Sequence, residues 1–198
     1  MTNTIPHSEI IARWSDPNMR PLFKGSLIDS DGCCCAQGDI LRTYCGYTDE
    51  QLRSLAQSKA DKEVAERLGI SRFHAILIRN VNDKKDGCPQ DVLSHPERII
   101  GDQAPIMLAF ARHLDRMTEK QWDAARAAAW DAARDAAWDA ARAAAWAAAW
   151  AAGYAMNEIQ GAAIMRANGT PFYFLPMFGF ADPEAVMIED AKHAKAAE

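Results

Sequence analysis

Cysteine and histidine are the residues of this sequence whose spacing can be tested most directly against known chemistry. Cys33, Cys34 and Cys35 are adjacent, whereas Cys45 and Cys88 stand apart. Structural zinc sites use pairs of the form C-x₂₋₄-C, and that spacing does not occur here. Adjacent cysteines on a helix or strand do not form mutual disulfides, because their side chains diverge. We therefore expect reduced thiols that serve packing, and no metal site.

Catalysis has no further support in the sequence. His74, His113 and His193 fall on predicted helix surfaces or helix ends, and nothing near the cysteines marks a lowered thiol pKa. A phosphate-binding glycine loop and a metalloprotease helix motif are both absent from the sequence. We predict no catalytic residue, no metal and no cofactor, and hence a protein that is not an enzyme.

Composition limits both the core and the partners. The chain has 198 residues, of which 49% are hydrophobic, and 38 of these are alanines that bury little area each. The net charge of −5 argues against a dedicated non-specific nucleic-acid binder. No apolar run approaches the ~20 residues that span a bilayer, and the first residues lack a secretory signal pattern. We expect a cytoplasmic protein without membrane contact.

The most informative pattern is an eight-residue repeat in the second half of the chain. Trp-Asp-Ala-Ala-Arg begins at residues 122, 130 and 138, and it degenerates from residue 146 into aromatic residues separated by alanines. Alanine is the strongest helix former, and each Asp precedes an Arg by three residues, which permits a helical ion pair. The pattern predicts one long helix.

Successive tryptophans of this helix point in different directions. An eight-residue step advances about 80° around an α-helix, so the indoles form a spiral, and a simple coiled coil is not expected. From residue 119 to 152 the helix would be about 51 Å long, longer than a compact domain of this size is wide. It therefore crosses the centre of the molecule, packs against a second copy, or offers a ligand surface.

The ligand hypothesis rests on the alternation of indole and guanidinium groups. Each Arg follows a Trp by four residues, which permits cation–π contacts. Such a surface would stack the base of an anionic molecule and clamp its charge. The residues assigned to this role are Arg126, Trp130, Arg134, Trp138 and Arg142.

A second hypothesis is DNA binding by residues 61–79, which resemble a helix-turn-helix. Gly69 would make the turn between two helices. The second helix would then offer Arg72, His74 and Arg79 to DNA. It is, however, more apolar than is typical of a helix that binds in the groove of DNA.

The fold class that these patterns predict is mostly α. We expect a multi-helix domain organised around, or extended by, one long Ala/Trp-rich helix, with at most a short β element near 21–28. The expected regions are a helical part at 1–117, the long helix at 118–169 with a break near 153, and an aromatic loop with a terminal helix at 170–198. We expect them to form one integrated domain. Helices are predicted at about 33–44, 60–68 and 71–80, and capping residues predict helix starts at Thr48, Thr118 and Asp182.

Two short motifs resemble those of small phage and prophage accessory proteins of unknown function. The first is the Cys34-Cys35-x-x-Gly38 helix start, and the second is Asn82-Asp83 at the end of an apolar segment. The resemblance covers roughly residues 20–116, and this chain departs from it by carrying Ala36-Gln37 where the group has Leu, and a longer loop after Asp83. Ala/Trp/Asp/Arg repeats also occur in phage and bacterial proteins. The resemblance implies origin and carries no activity.

Together these observations predict a phage or mobile-element accessory protein that acts by binding. It would inhibit a host protein or sequester a small anionic or nucleotide ligand, and it would form a homo-oligomer through the long helix. A helix-turn-helix regulator that uses residues 61–79 is the alternative, and a small enzyme or metal protein built on the cysteine cluster is a third hypothesis.

Overall fold

The computed structural model describes residues 4–135, 172 and 175–196, with backbone alone for 129–135. The protein is mostly helical, as predicted, and no strand occurs within these residues. A 3₁₀ turn covers Leu175–Phe178. The helices are α1 (His7–Trp14), α2 (Ala36–Cys45), α3 (Asp49–Ser54), α4 (Gln57–Leu68), α5 (Arg72–Asp83), α6 (Pro89–Ser94), α7 (Pro96–Ile100), α8 (Ala104–Arg116), α9 (Glu119–Asp135) and α10 (Pro183–Ala196).

The chain divides into two compact units, Met1–Ala104 and Pro105–Glu198. The division falls after the first residue of α8, whereas the sequence pattern places the first boundary at residue 117. Most of the expected long helix, residues 136–169, lies outside the described residues.

The first unit is built around α5. This helix packs against α2, α4 and α6, and α1 also packs against α6. The apolar centre consists of side chains that are almost completely buried, namely Ile10, Ile40, Leu41, Val64, Leu68, Ile78 and Val92. A short polar-capped helix, α3, follows α2 and contacts it.

Helix starts follow the capping chemistry of the sequence. Thr48 and Gln51 form a reciprocal capping box at α3, with distances of 3.2 and 2.8 Å. Thr118 and Gln121 do the same at α9. The Asp182 carboxylate accepts the Ala185 N–H at α10 over 2.9 Å. These three predicted starts are confirmed.

Other boundaries differ from the predictions. The helix expected from Cys33 begins at Ala36, because residues 33–35 are extended. Helix α4 starts at Gln57 and α5 runs to Asp83, so both are longer than predicted. The two helices α6 and α7 were not predicted, and each begins with a proline, which suits the first helical position because its missing N–H has no partner there in any case.

The β element expected near 21–28 is one isolated antiparallel bridge between Ile28 and Cys34. The Phe23 N–H donates to the Cys34 carbonyl over 2.8 Å, and the Cys35 N–H donates to the Leu27 carbonyl over 3.1 Å. We call residues 23–28 the strap, because this segment lies against the start of α2.

The strap is fastened by Gly38 of the Cys34-Cys35-x-x-Gly38 motif and by the Asn82-Asp83 motif. Asn82 at the end of α5 donates to the Phe23 carbonyl over 2.7 Å, and the carboxylate of Asp83 accepts the Gly25 N–H over 3.0 Å. At Gly38 the strap approaches α2 so closely that a Cβ would lie 2.0 Å from the Leu27 carbonyl oxygen. Both motifs therefore have a structural role in this unit.

Replacing Gly38 by alanine should destabilise the protein. In an ordinary helix this change stabilises by roughly 0.5–1 kcal/mol. Here the added methyl group would collide with backbone, so we expect a net loss of about 1–3 kcal/mol in the free energy of unfolding. Chemical denaturation measures it.

Gly46→Ala is the matched control, because Gly46 has a left-handed φ of 73° and open space around its Cβ position. Its free energy of unfolding should fall only by about 1 kcal/mol, which is the cost of a left-handed conformation for alanine. A Gly38→Ala protein as stable as the unmodified chain, or more stable, would show that the strap does not press on α2.

Candidate functional site

The first Trp-Asp-Ala-Ala-Arg repeat lies on α9 and has an inner and an outer side. Trp122 is half-buried, and its ring meets Phe178 edge to face with the ring centres 6.1 Å apart. Ala125 is buried. Asp123 and Arg126 are exposed and form an ion pair with each other. The repeat thus turns its indole inward and its charged pair outward.

The remaining residues of the ligand hypothesis are only partly described. The backbone of Trp130 and Arg134 lies in α9, and these positions are rotated about 80° around the axis from Trp122 and Arg126. Trp138 and Arg142 lie outside the described residues. Of the five assigned residues, Arg126 is therefore the one whose side chain is placed.

Phe178, the neighbour of Trp122, belongs to an aromatic cluster. Phe178 also meets Phe110 of α8 edge to face at 5.1 Å, and Phe180 meets His113 at 4.6 Å. Edge-to-face pairs place the positive ring edge against the negative ring face, which adds to the stabilisation from burial. The segment after the repeat, rich in aromatic residues, therefore supplies the cover for the start of α9.

His113 lies in the last turn of α8, which agrees with the expected helix end, but its side chain does not face solvent. The imidazole is buried, with Nδ1 2.9 Å from Oε1 of Glu189. His193 lies on the same side of α10, with Nε2 3.8 Å from the same oxygen. Helix α8 thus joins α10 through a histidine–carboxylate contact beside the aromatic cluster.

Asp190 joins the same two helices. Arg112 binds the carboxylate with Nε and a terminal nitrogen, and Arg116 contacts it at 3.2 Å. Burial raises the pKa of Asp190, but hydrogen bonds and charge from the two arginines outweigh it, and the pKa lies below its ordinary value. The carboxylate is thus charged at neutral pH and holds α10 on α8.

The residues of the helix-turn-helix hypothesis do not share one surface. Gly69 links α4 and α5 in the left-handed conformation, with φ of 65°, and Arg72 is exposed at the start of α5. His74 lies in the first turn of α5, at a helix end as expected, but its side chain is buried, with Nε2 2.8 Å from the Val92 carbonyl. Arg79 contacts the buried carboxylate of Asp61 at 3.3 Å.

The partner of Arg79 belongs to a buried polar network that the sequence analysis missed. The Gln37 amide donates to Asp61 over 2.8 Å and to the Ala75 carbonyl over 3.0 Å, and Gln57 donates to Gln37 over 2.6 Å. The network joins α2, α4 and α5. The sequence did indicate that Gln37 is buried, because Gln37 precedes Ile40 and Leu41 with the i, i+3, i+4 spacing of a buried helix face.

A second buried carboxylate holds α1 on α2. Arg13 binds Asp39 through two nitrogens at 2.8 and 2.6 Å, and the Trp14 indole N–H donates to it over 3.0 Å. Paired guanidinium and carboxylate groups in this geometry form strong, directional hydrogen bonds. Both acidic residues of the core therefore serve packing between helices.

The cysteine cluster carries neutral thiols. Cys35 caps α2 by accepting the Gly38 N–H at its sulfur, and burial raises the pKa of this thiol to about 11. Burial also raises the pKa of Cys34, against the lowering effect of Arg42, and of Cys33 and Cys45. Protonated thiols are poor nucleophiles and poor metal ligands. All five cysteines are free, as expected.

Two further findings concern the described residues. No group of three His, Cys, Asp or Glu side chains among them is arranged to hold a metal ion. None of the described helices is both long enough and apolar enough to span a membrane.

Comparisons with known protein families, with curated proteins and with solved structures find no match.

The raised pKa of Cys35 predicts a loss of stability at high pH. The folded state keeps the thiol protonated up to about pH 11, whereas the unfolded chain releases the proton near pH 9. The stabilisation is complete below pH 9 and falls as the pH rises to about 11, by roughly 2–3 kcal/mol. Denaturation at a series of pH values measures this loss.

In Cys35→Ser, which keeps an oxygen to cap the helix, the loss between pH 9 and 11 should shrink. The exposed Cys88, replaced in the same way, is the control and should keep the original profile. If Cys35→Ser loses as much stability with pH as the unmodified protein, the buried thiol is not the cause.

Proposed function

We propose that the protein acts by binding another protein, without catalysis, and that the Trp-Arg repeat is the binding surface. The observation that carries this proposal is the division of the first repeat, in which Trp122 packs on Phe178 and the Asp123–Arg126 pair faces solvent. The same five residues recur twice along the chain, each time about 80° further around the axis.

The rotation requires more than one neighbour. Phe178 covers the indole of the first repeat, and a neighbour at that side of the helix does not reach a position turned by about 80° and advanced by about 12 Å. If the helix continues, the tryptophans at 130 and 138 need further apolar partners. Exposed indoles in such number are typical of interfaces.

The charge of the repeat favours a protein partner over a nucleotide. Arg126 is already paired with Asp123, and every repeat carries the same Asp and Arg. The Asp and the Arg of each repeat therefore cancel in charge, whereas a phosphate site needs guanidinium groups that are not already paired with a carboxylate. A second copy of the chain is the partner we propose first, with a host protein next and a small anionic ligand last.

The setting of this activity rests on the resemblance to phage accessory proteins. We propose that the chain is a phage or mobile-element accessory protein, and that it works in the cytoplasm of the host cell. In this proposal the neutral thiols and the buried carboxylates build the scaffold, and the repeat contacts the partner.

The test is the mass of the protein in solution and its response to loss of the indoles. Sedimentation equilibrium of the unmodified chain should give a mass above that of the 21.8 kDa monomer. Trp130→Ala combined with Trp138→Ala should weaken the association at least tenfold, since interface tryptophans are common hot spots.

Lys120→Ala is the matched control, because it removes an exposed charged side chain of α9 that lies outside the repeat, and it should change association little. A monomer that co-purifies with no protein would contradict the proposal. ATP binding that needs Arg126, measured by calorimetry, would favour the nucleotide hypothesis instead.

The second candidate function is DNA binding, and the observation in its favour is the α4–Gly69–α5 turn with Arg72 exposed beside it. Against it stands the position of α5, which is enclosed by α2, α4 and α6. Its partly exposed stripe is Arg72, Ile76, Arg79 and Asp83, of which one is apolar and one is acidic.

Fluorescence anisotropy with a labelled DNA duplex at low salt tests this candidate. We expect no binding in the micromolar range, since specific protein–DNA interfaces are strongly basic. Tight binding that weakens steeply with salt and is lost in Arg72→Ala would establish the helix-turn-helix as the functional site.

A further inference from the structure

Helix α10 has two opposite faces, and one of them is occupied. Val186 is buried, Glu189 and Asp190 bind the basic side chains of α8, and His193 lies beside Glu189. These four residues fall on one side of the helix at about 100° per residue.

The opposite face is exposed and forms a narrow stripe. Glu184, Ile188, Ala191 and Lys195 lie within about 60° of one another around the axis, and all four are exposed. Ile188 is 50% exposed, and Met187 at the edge of the stripe is 37% exposed. They are the two exposed large hydrophobic residues among those that the structure describes.

The stripe is complementary to itself in the antiparallel direction. An antiparallel pair of α10 helices centred between residues 189 and 190 would place Glu184 opposite the partner's Lys195. The same register places Ile188 opposite the partner's Ala191, so that the large apolar side chain meets a small one. Two-fold symmetry repeats each contact, because in such an interface the same patch serves both copies.

From this complementarity we infer that α10 is a docking surface for a second copy of the chain, packed antiparallel. The surface differs from the Trp-Arg repeat, and the two are independent. The acidic and basic ends of the stripe fix the direction of the partner helix, since a parallel pair would place like charges together.

The contact is small, which sets its strength. One 14-residue helix is about 21 Å long, and a pair of them buries less than a standard stable interface. The association should therefore be weak, with a dissociation constant on the order of 0.1 mM. Association of this strength becomes effective when a second contact holds the copies together.

Charge exchange across the pair is the direct test, and it is made in the variant that lacks Trp130 and Trp138 so that the repeat does not contribute to association. Lys195→Glu puts two acidic groups opposite each other at both ends of the stripe, and the dissociation constant should rise roughly five- to tenfold. Adding Glu184→Lys restores opposite charges and should return the constant to within about twofold of the original. Residues 184 and 195 are too far apart on one helix, about 16 Å, for rescue within a single chain. Analytical ultracentrifugation up to about 1 mM covers the range.

Lys192→Glu is the matched control, since it makes the same charge change on the same helix outside the stripe, and it should leave association unchanged. In the same background Ile188→Asp should abolish association, and circular dichroism of every variant verifies that the helix content of the protein is unchanged. The inference would be overturned by a protein that stays monomeric up to 1 mM. It would also be overturned if neither Ile188→Asp nor Lys195→Glu changed the dissociation constant. Association that is lost in the variant lacking Trp130 and Trp138 but kept in Ile188→Asp would assign it to the repeat alone.

Discussion

The close approach of the strap to α2 is the constraint on which the first unit depends. The Leu27 carbonyl comes so near Gly38 that no side chain fits between them, and this approach keeps Cys33, Cys34 and Cys35 extended ahead of α2. Cys35 consequently becomes the cap of α2, buried and protonated. Asn82 and Asp83 bring the end of α5 to the same segment. Residues that look like a reactive cluster in the sequence are thus parts of a helix junction.

The second unit is governed by the period of its repeat. Because eight residues advance about 80° around a helix, the position of Trp130 in α9 is turned by that angle from Trp122, and one neighbour cannot cover both positions. The structure provides one such neighbour, Phe178, for the first tryptophan, and the 3₁₀ turn that carries it packs on α9. The buried contacts of His113 and Asp190 fix α10 beside α8. The aromatic segment and the final helix therefore complete the fold around the start of the repeat, while Asp123 and Arg126 stay exposed.

Features that depend on neighbouring residues could be predicted from the sequence, and those that depend on distant ones could not. Thr48, Thr118 and Asp182 cap their helices through bonds within the first turn, so the pattern suffices. The sequence predicts that this helix begins at about Cys33, whereas α2 begins after its cap, Cys35. The strap, and not the local sequence, decides where the helix begins. The burial of His74 could not be predicted, because its partner, the Val92 carbonyl, belongs to the unpredicted helix α6. Arg79 resembled a DNA contact because its real partner, Asp61, lies in a separate helix.

We propose that a protein partner, first of all a second copy of the chain, covers the tryptophans of the repeat. Five of the six tryptophans lie in residues 122–150, so acrylamide quenching of tryptophan fluorescence reports mainly on them. The measurement is quenching during serial dilution of the protein from about 100 µM to about 0.1 µM, the range over which weak to moderate complexes separate. We predict that quenching increases and that the emission shifts to longer wavelength as the copies separate. Low quenching that stays the same at every concentration, in a sample that is monomeric throughout, would show that the chain covers its own tryptophans and would contradict this account.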